Sequence, residues 1–156
     1  MNVGVFVDVS NLYVNLFKKF PGRKLDYGRY LEVCKQYGKL YRAVAYGLEV
    51  NGEAAGFKMA LRSKGYDVRF KRLHTNDVKR SSWNVGMTLD VVRLLQKLDV
   101  VVLGTSDGSM SELASYVREQ RIWCVAFAHG AQKELREVCN QHLDIREDML
   151  EAPSAT

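Results

Sequence analysis

Short apolar runs alternate with segments of helical period along the whole chain, and this alternation limits the fold more than any other feature. Strand-like runs recur at residues 3–7, 40–46, 67–73, 100–103 and 122–128. Between them, residues 27–37 place Tyr30, Leu31, Cys34 and Tyr37 on one helical face, and residues 54–64 do the same for Phe57, Leu61 and Lys64. Residues 85–98 form the strongest helical pattern, with Leu89, Val92, Leu95 and Leu98 aligned, and residues 111–120 and 132–139 follow the same logic. Strands alternating with helices predict an α/β domain with a largely parallel central sheet flanked by helices. Right-handed crossovers bring the C-terminal ends of such strands to one edge, so that edge is where polar residues carry most meaning.

The 156 residues suffice for one domain with a sizeable core. The expected organisation is a domain over residues 1–150 and a short tail over 151–156. No apolar run approaches the roughly 20 residues of a membrane-spanning helix. The apolar start is interrupted by Asp8 and has no basic stretch before it, unlike a signal peptide, so a cytoplasmic location and no membrane partner are expected. Cys34, Cys124 and Cys139 are odd in number and far apart, which argues against a disulfide framework and a zinc site of CxxC type; buried free thiols are the expectation.

The first strand reads VFVDVSNLY, and its apolar run stops at Asp8. A carboxylate at the end of a buried strand is costly unless something hydrogen-bonds it, pairs with it or binds it. Asp107 follows the strand at 100–103 in GTSDGSMS, and Asp90 lies in the helix that leads into that strand. Each has a local explanation: Asp8 as a helix cap, Asp107 as a brace for the loop before Ser111, Asp90 as a partner of Arg93 at helical spacing. If the helix packs over the sheet edge, the three carboxylates converge. Like charges in one pocket disfavour joint ionisation unless a cation neutralises them. Magnesium, or manganese on the same oxygen ligands, does so and can activate water for attack on a phosphodiester.

The stretches VFVDVSNLY, NVGMTLD and VVLGTSDGSMSEL, in that order, resemble the NYN domain, a PIN-like nuclease family that includes the bacterial LabA-like proteins. The closing stretch, from Val125 through Leu135 to Ile145, resembles the family's last strand, helix and short final strand, so nearly the whole chain is covered. The resemblance implies a single PIN-like (Rossmannoid) domain, a magnesium- or manganese-dependent ribonuclease activity and an RNA substrate; a homodimer is a family-level expectation. Carried over by residue, Asp8 matches the first metal-binding aspartate and Asn11 the asparagine that supports it. Asp90 matches the aspartate inside the helix motif, and Asp107 the first aspartate of the third motif. Asn84 and Ser109 stand where the family usually has further aspartates, so the site keeps three formal charges instead of five.

Two functions follow. As an endoribonuclease, the chain would hold the ion with Asp8, Asp90 and Asp107, while Asn11 and Ser109 orient water, ligand or scissile phosphate. Arg69, Lys71, Arg72, Lys79 and Arg80 would grip the RNA backbone, in keeping with a net charge of +5, although a solvated basic loop is the simpler explanation of such a run. Tyr13 or Trp83 would stack a base or pack in the core, and their exposure separates these readings. As a non-catalytic relative, the chain would bind RNA or a protein partner, a reading supported by Asn84 and Ser109. A third reading, a phosphate cradle formed by GTSDGSMS, lacks the P-loop pattern and would set an aspartate against the anion. The three histidines show no ligand spacing.

Overall fold

β1 (Asn2–Asp8) is buried on both faces because its alternating side chains feed two cores: Val3, Val5 and Val7 pack on one side of the sheet and Phe6 on the other. The computed structural model describes residues 1–73 and 81–153. After β1 come α1 (Val9–Lys19), α2 (Tyr27–Cys34), β2 (Lys39–Val50), α3 (Ala55–Ser63), β3 (Asp67–Leu73) and α4 (Asn84–Leu94). β4 (Val100–Gly104), α5 (Ser111–Glu119), β5 (Trp123–Ala128), α6 (Lys133–Val138) and β6 (Gln141–Asp144) complete the chain.

The six strands form one sheet in the order β3-β2-β1-β4-β5-β6, and all five neighbouring pairs are parallel. Leu12 and Leu16 of α1, Tyr30 and Leu31 of α2 and Leu61 of α3 join the core on one face. Met87 and Val91 of α4, Leu113 and Val117 of α5 and Leu135 of α6 join the core on the other. Strand order reverses at β1, so the crossovers from β1 and β4 leave in opposite directions. The crevice beyond the C-terminal ends of those two strands is where open α/β sheets bind ligands. The expected α/β architecture is therefore present, with an all-parallel sheet.

Several boundaries and faces differ from the sequence reading. β2 runs to Val50, four residues beyond the predicted end, because Gly47–Val50 keeps pairing with Phe70–Leu73 of β3. It ends in a turn in which Asn51 and Gly52 both adopt positive φ, 55° and 72°. On α4 the buried side chains are Met87, Val91 and the following Leu95 and Leu98, whereas Leu89 and Val92 face outward. The sequence offers two overlapping apolar stripes here. Trp83 decides between them, because its buried indole donates Nε1–H to Gly47 O at 2.8 Å and fixes the phase of the helix that follows.

The supposed tail begins with ordered contacts: Leu25 and Leu150 form an isolated antiparallel bridge, and Glu151 N donates to Lys24 O at 2.7 Å. The cysteines are free and buried, with the Cys124 and Cys139 thiols 3.8 Å apart. Among the described residues no helix is long and apolar enough to cross a membrane.

Gly104 closes β4 just before the loop that carries Asp107. A Cβ there would meet Tyr30 Oη at 2.8 Å and Val7 Cα at 3.0 Å, and that hydroxyl is already committed to Phe127 O at 2.7 Å. Gly104→Ala is expected to cost about 1–3 kcal/mol by overpacking, read as a lowered midpoint in thermal or denaturant unfolding.

Candidate active site

Asp8 is both the last residue of β1 and the N-cap of α1, its Oδ1 accepting Asn11 N–H at 3.1 Å. Strand passes into helix with no intervening loop, which pins the carboxylate at the sheet edge. Burial raises its pKa above the ordinary carboxylate value, backbone N–H groups of Asn11 and Ser10 offset part of this, and the charge of Asp107 raises it further.

Asp107 caps the single 3₁₀ turn that follows β4. Its Oδ1 accepts from Ser109 N at 2.9 Å and Ser109 Oγ at 2.8 Å, and its Oδ2 accepts from Asn84 Nδ2 at 2.8 Å. Burial alone would raise its pKa, but the hydrogen bonds from Asn84 and Ser109 outweigh this and hold the carboxyl below its ordinary value. Asn84 Nδ2 also donates to Ser109 Oγ at 3.1 Å, so Asn84, Asp107 and Ser109 form a closed triangle across the mouth of the sheet edge.

Asn11 acts on the β4 loop. Its Oδ1 accepts from Ser106 N at 2.8 Å and from Ser106 Oγ at 3.1 Å, while only its backbone N–H reaches Asp8. Asn15, one helical turn on, adds Nδ2 to Ser106 Oγ at 2.9 Å. Thr105 Oγ1 receives Asp107 N–H at 3.2 Å, and Gln132 Oε1 receives Gly108 N–H at 2.7 Å. The sequence reading takes Thr105 and Ser106 only as part of a phosphate cradle and passes over Asn15 and Gln132, which no local pattern ties to this loop.

Asp90 corrects the expected triad. It lies outside the cavity that Asp8, Asn84 and Asp107 line, and it is held by Tyr46 Oη at 2.7 Å, by a close ion pair with Arg69, and by Arg93 at 3.8 Å. The cause is the helix phase set by Trp83, which turns Asn84 towards Asp107 and carries Asp90 round to the edge beside β3. Among the described residues no three acidic, histidine or cysteine side chains gather as a metal site. Asp90→Ala leaves the buried Tyr46 hydroxyl and Arg69 without their acceptor, and about 2 kcal/mol of stability should be lost. Divalent-ion affinity, read by titration calorimetry, should stay at the wild-type value.

The expected RNA-gripping cations of β3 have protein partners, while Arg69 and Arg72 stay exposed. Arg69 pairs with Asp90 and sits 5.1 Å over the Trp83 ring, Lys71 sits 4.4 Å over the same ring and donates to Ser82 O at 2.8 Å, and Arg72 approaches Glu49 at 3.7 Å. Lys79 and Arg80 lie outside the described residues. Trp83, 8% exposed and clamped by these cations, is a core residue that positions Asn84. Tyr13, 59% exposed, stands at the rim of the cavity.

That cavity has a volume of about 1040 Å³. Asp8, Asn11, Asn84 and Asp107 form its polar side, and Tyr27, Leu48, Phe57 and Leu61 belong to its apolar side. Tyr27 lies within reach of the Asp8 charge: burial, then Asp8 and Glu151, push its phenol well above the ordinary value. Two carboxylates with neutral oxygen donors beside them fit a hard divalent ion, which commonly takes one or two protein carboxylates and completes its shell with water and substrate phosphate. The burial of Asp8 and the charge of Asp107 beside it, with no cation on either among the described residues, are what such an ion would relieve.

The fold matches a crystal structure of a protein of unknown function from Vibrio parahaemolyticus, with a TM-score of 0.85, 23% sequence identity and 96% of each chain covered. At that identity the likeness speaks for the fold alone. No curated protein matches the chain. The family model of the NYN domain matches residues 2–146. With the match spanning almost the whole chain, and with Asp8 and Asp107 at the ends of its two central strands, the protein belongs to the NYN domain family of PIN-like nucleases.

Proposed function

We propose that this domain is a metal-dependent endoribonuclease whose ion site is built from Asp8 and Asp107, with magnesium or manganese as cofactor. One observation carries the reading: Asp8 and Asp107 line one cavity at the switch point of the sheet, where the charge of Asp107 adds to the burial that disfavours ionised Asp8, with no protein cation on either among the described residues. When bound there, such an ion supplies charge neutralisation at the phosphate and lowers the pKa of water. The chain's own residues orient. Asn84 and Ser109 hold both oxygens of Asp107, Asn11 and Asn15 fix the loop that carries it, and the first turn of α1 holds Asp8. Carboxylates held in this way would fix the position of an ion between them and the phosphate, so little reorganisation would remain for the reaction.

A second reading has its own support. Asn84 satisfies Asp107 with a neutral amide, and Asp90 has left the site, so the chain retains two charges there. A domain of this kind would bind RNA or a protein partner without cutting. Purified protein incubated with single-stranded and structured RNA, in manganese, magnesium or chelator, beside Asp107→Asn, separates the two. Cleavage that requires the ion and disappears in Asp107→Asn supports the nuclease. Cleavage indifferent to chelator and substitution overturns it, and RNA retained uncut with every ion favours the second reading.

A further inference from the structure

The apolar half of the cavity has no role in holding an ion, yet it opens directly onto Asp8 and Asp107. Tyr27 and Phe57 form its aromatic wall, with ring centroids 5.8 Å apart and planes tilted by 60°. Phe57 is 39% exposed and Tyr13 stands across the rim, so aromatic faces remain open to a ligand. Tyr27 is buried, 7% exposed and part of the core beneath the cavity it lines, and its hydroxyl makes no hydrogen bond among the described residues. Lys24 and Lys64, the latter 3.8 Å from the Asp26 carboxylate, line the same cavity. Aromatic faces for a base, cations for the flanking phosphates and a carboxylate pair for an ion at the phosphate together match one chemical class, a nucleotide. The whole cavity, about 1040 Å³, is just above the roughly 300–1,000 Å³ of small-ligand sites. An apolar partner side chain would need neither the cations nor the carboxylates.

We infer that the Tyr27–Phe57 half of the cavity is a base-recognition subsite, which takes one unpaired base of a single-stranded nucleic acid beside the phosphate held at Asp8 and Asp107. This rests on the nuclease reading for the position of the phosphate. A paired base cannot enter without leaving its stack, so the subsite makes the protein select unpaired nucleotides. Phe57 supplies the stacking face. Tyr27 supplies the uncharged polar group beside the stacking face and is the specificity-determining residue.

The test uses the full chain and a short RNA carrying a fluorescent adenine analogue, single-stranded or annealed to its complement. Binding is followed by anisotropy and by the analogue's emission, in chelator and again in calcium. Single strand is expected to bind at least about tenfold tighter than duplex, with the emission quenched by stacking. Phe57→Ala should weaken binding roughly tenfold, the scale of one lost base–aromatic stack, and abolish the quench. Ala60→Phe fills the cavity from an exposed position on α3 without removing a core contact, and it should do the same while melting like wild type. Equal affinity for single strand and duplex, unchanged binding by both variants, or no single-strand binding in either condition overturns the subsite. The last of these outcomes leaves an occupant other than nucleic acid. Cleavage by wild type with unaltered binding in the two variants removes the subsite and keeps the nuclease. Quenched binding with no cleavage under any ion does the reverse.

Discussion

Asp8→Asn is expected to abolish ion-dependent RNA cleavage and, at the same time, to raise the stability of the ion-free protein at neutral pH. The two effects share one cause. Ionised Asp8 is disfavoured in the folded state by burial and by the charge of Asp107. Its folded pKa lies above its unfolded one, so proton binding stabilises the fold below the ordinary carboxylate range, and that stabilisation is lost as pH rises through the raised value. At neutral pH the wild type therefore carries a strained charge that asparagine lacks, while the asparagine oxygen still accepts Asn11 N–H as an N-cap. The stability gap between variant and wild type should open as pH rises through the raised pKa of Asp8 and close again in acid. Added magnesium or manganese should stabilise wild type by mass action and leave Asp8→Asn unmoved. Cleavage should fall at least about 100-fold, since losing a mere supporting partner of a metal ligand costs 10–100-fold. The measurements are thermal melts across pH with and without ion, beside a cleavage time course. A variant less stable than wild type at every pH would show that Asp8 is a structural cap alone.

This coupling of function to a destabilising charge also explains what sequence could and could not show. Asp8 was conspicuous because it broke an apolar strand, and Asp107 because it followed another; both are placed by strand ends, whose position at a parallel sheet edge follows from topology. Asp90 was misplaced because a helix position has no such guarantee. Residues 84 to 90 span nearly two turns, and which of Asn84 and Asp90 faces the crevice depends on helix phase, set by a contact between Trp83 and Gly47 that no local pattern reports. The same contact turned Leu89 and Val92 outward. The cations of β3 read as an RNA grip because a charge run carries no record of its partners, and two of those partners, Asp90 and Glu49, lie on distant segments. Tyr27 and Phe57 do not read as a site for a related reason: aromatics at helical spacing read as core, and only the assembled cavity shows that Phe57 of this pair stays open.

The helix phase leads to the second large effect. Asn84 Nδ2 lies 2.8 Å from Asp107 Oδ2 and 3.1 Å from Ser109 Oγ, so it is the residue of α4 that meets the proposed ion site. Asn84→Asp keeps the shape and reverses the sense of that contact: a donor to Asp107 becomes a second carboxylate against it. Without an ion, the hydrogen bond that helps hold Asp107 below its ordinary pKa is gone and like charges face each other, so the variant should melt below wild type at neutral pH and recover in acid. With manganese the order should reverse. A third oxygen ligand of full charge is expected to tighten ion binding by about 10- to 100-fold, the scale at which ligand surroundings alter metal affinity. By linkage, tighter binding returns as a larger melting shift at equal ion concentration. Cleavage should rise with it if ion occupancy limits the wild type. Titration calorimetry with manganese, paired with melts, reads both signs. An affinity unchanged by Asn84→Asp, with the ion-free destabilisation present, would place the ion away from Asp107 and leave Asn84 as a loop brace. An affinity raised without any gain in cleavage would mean that the two-charge site is adapted to hold RNA without cutting it.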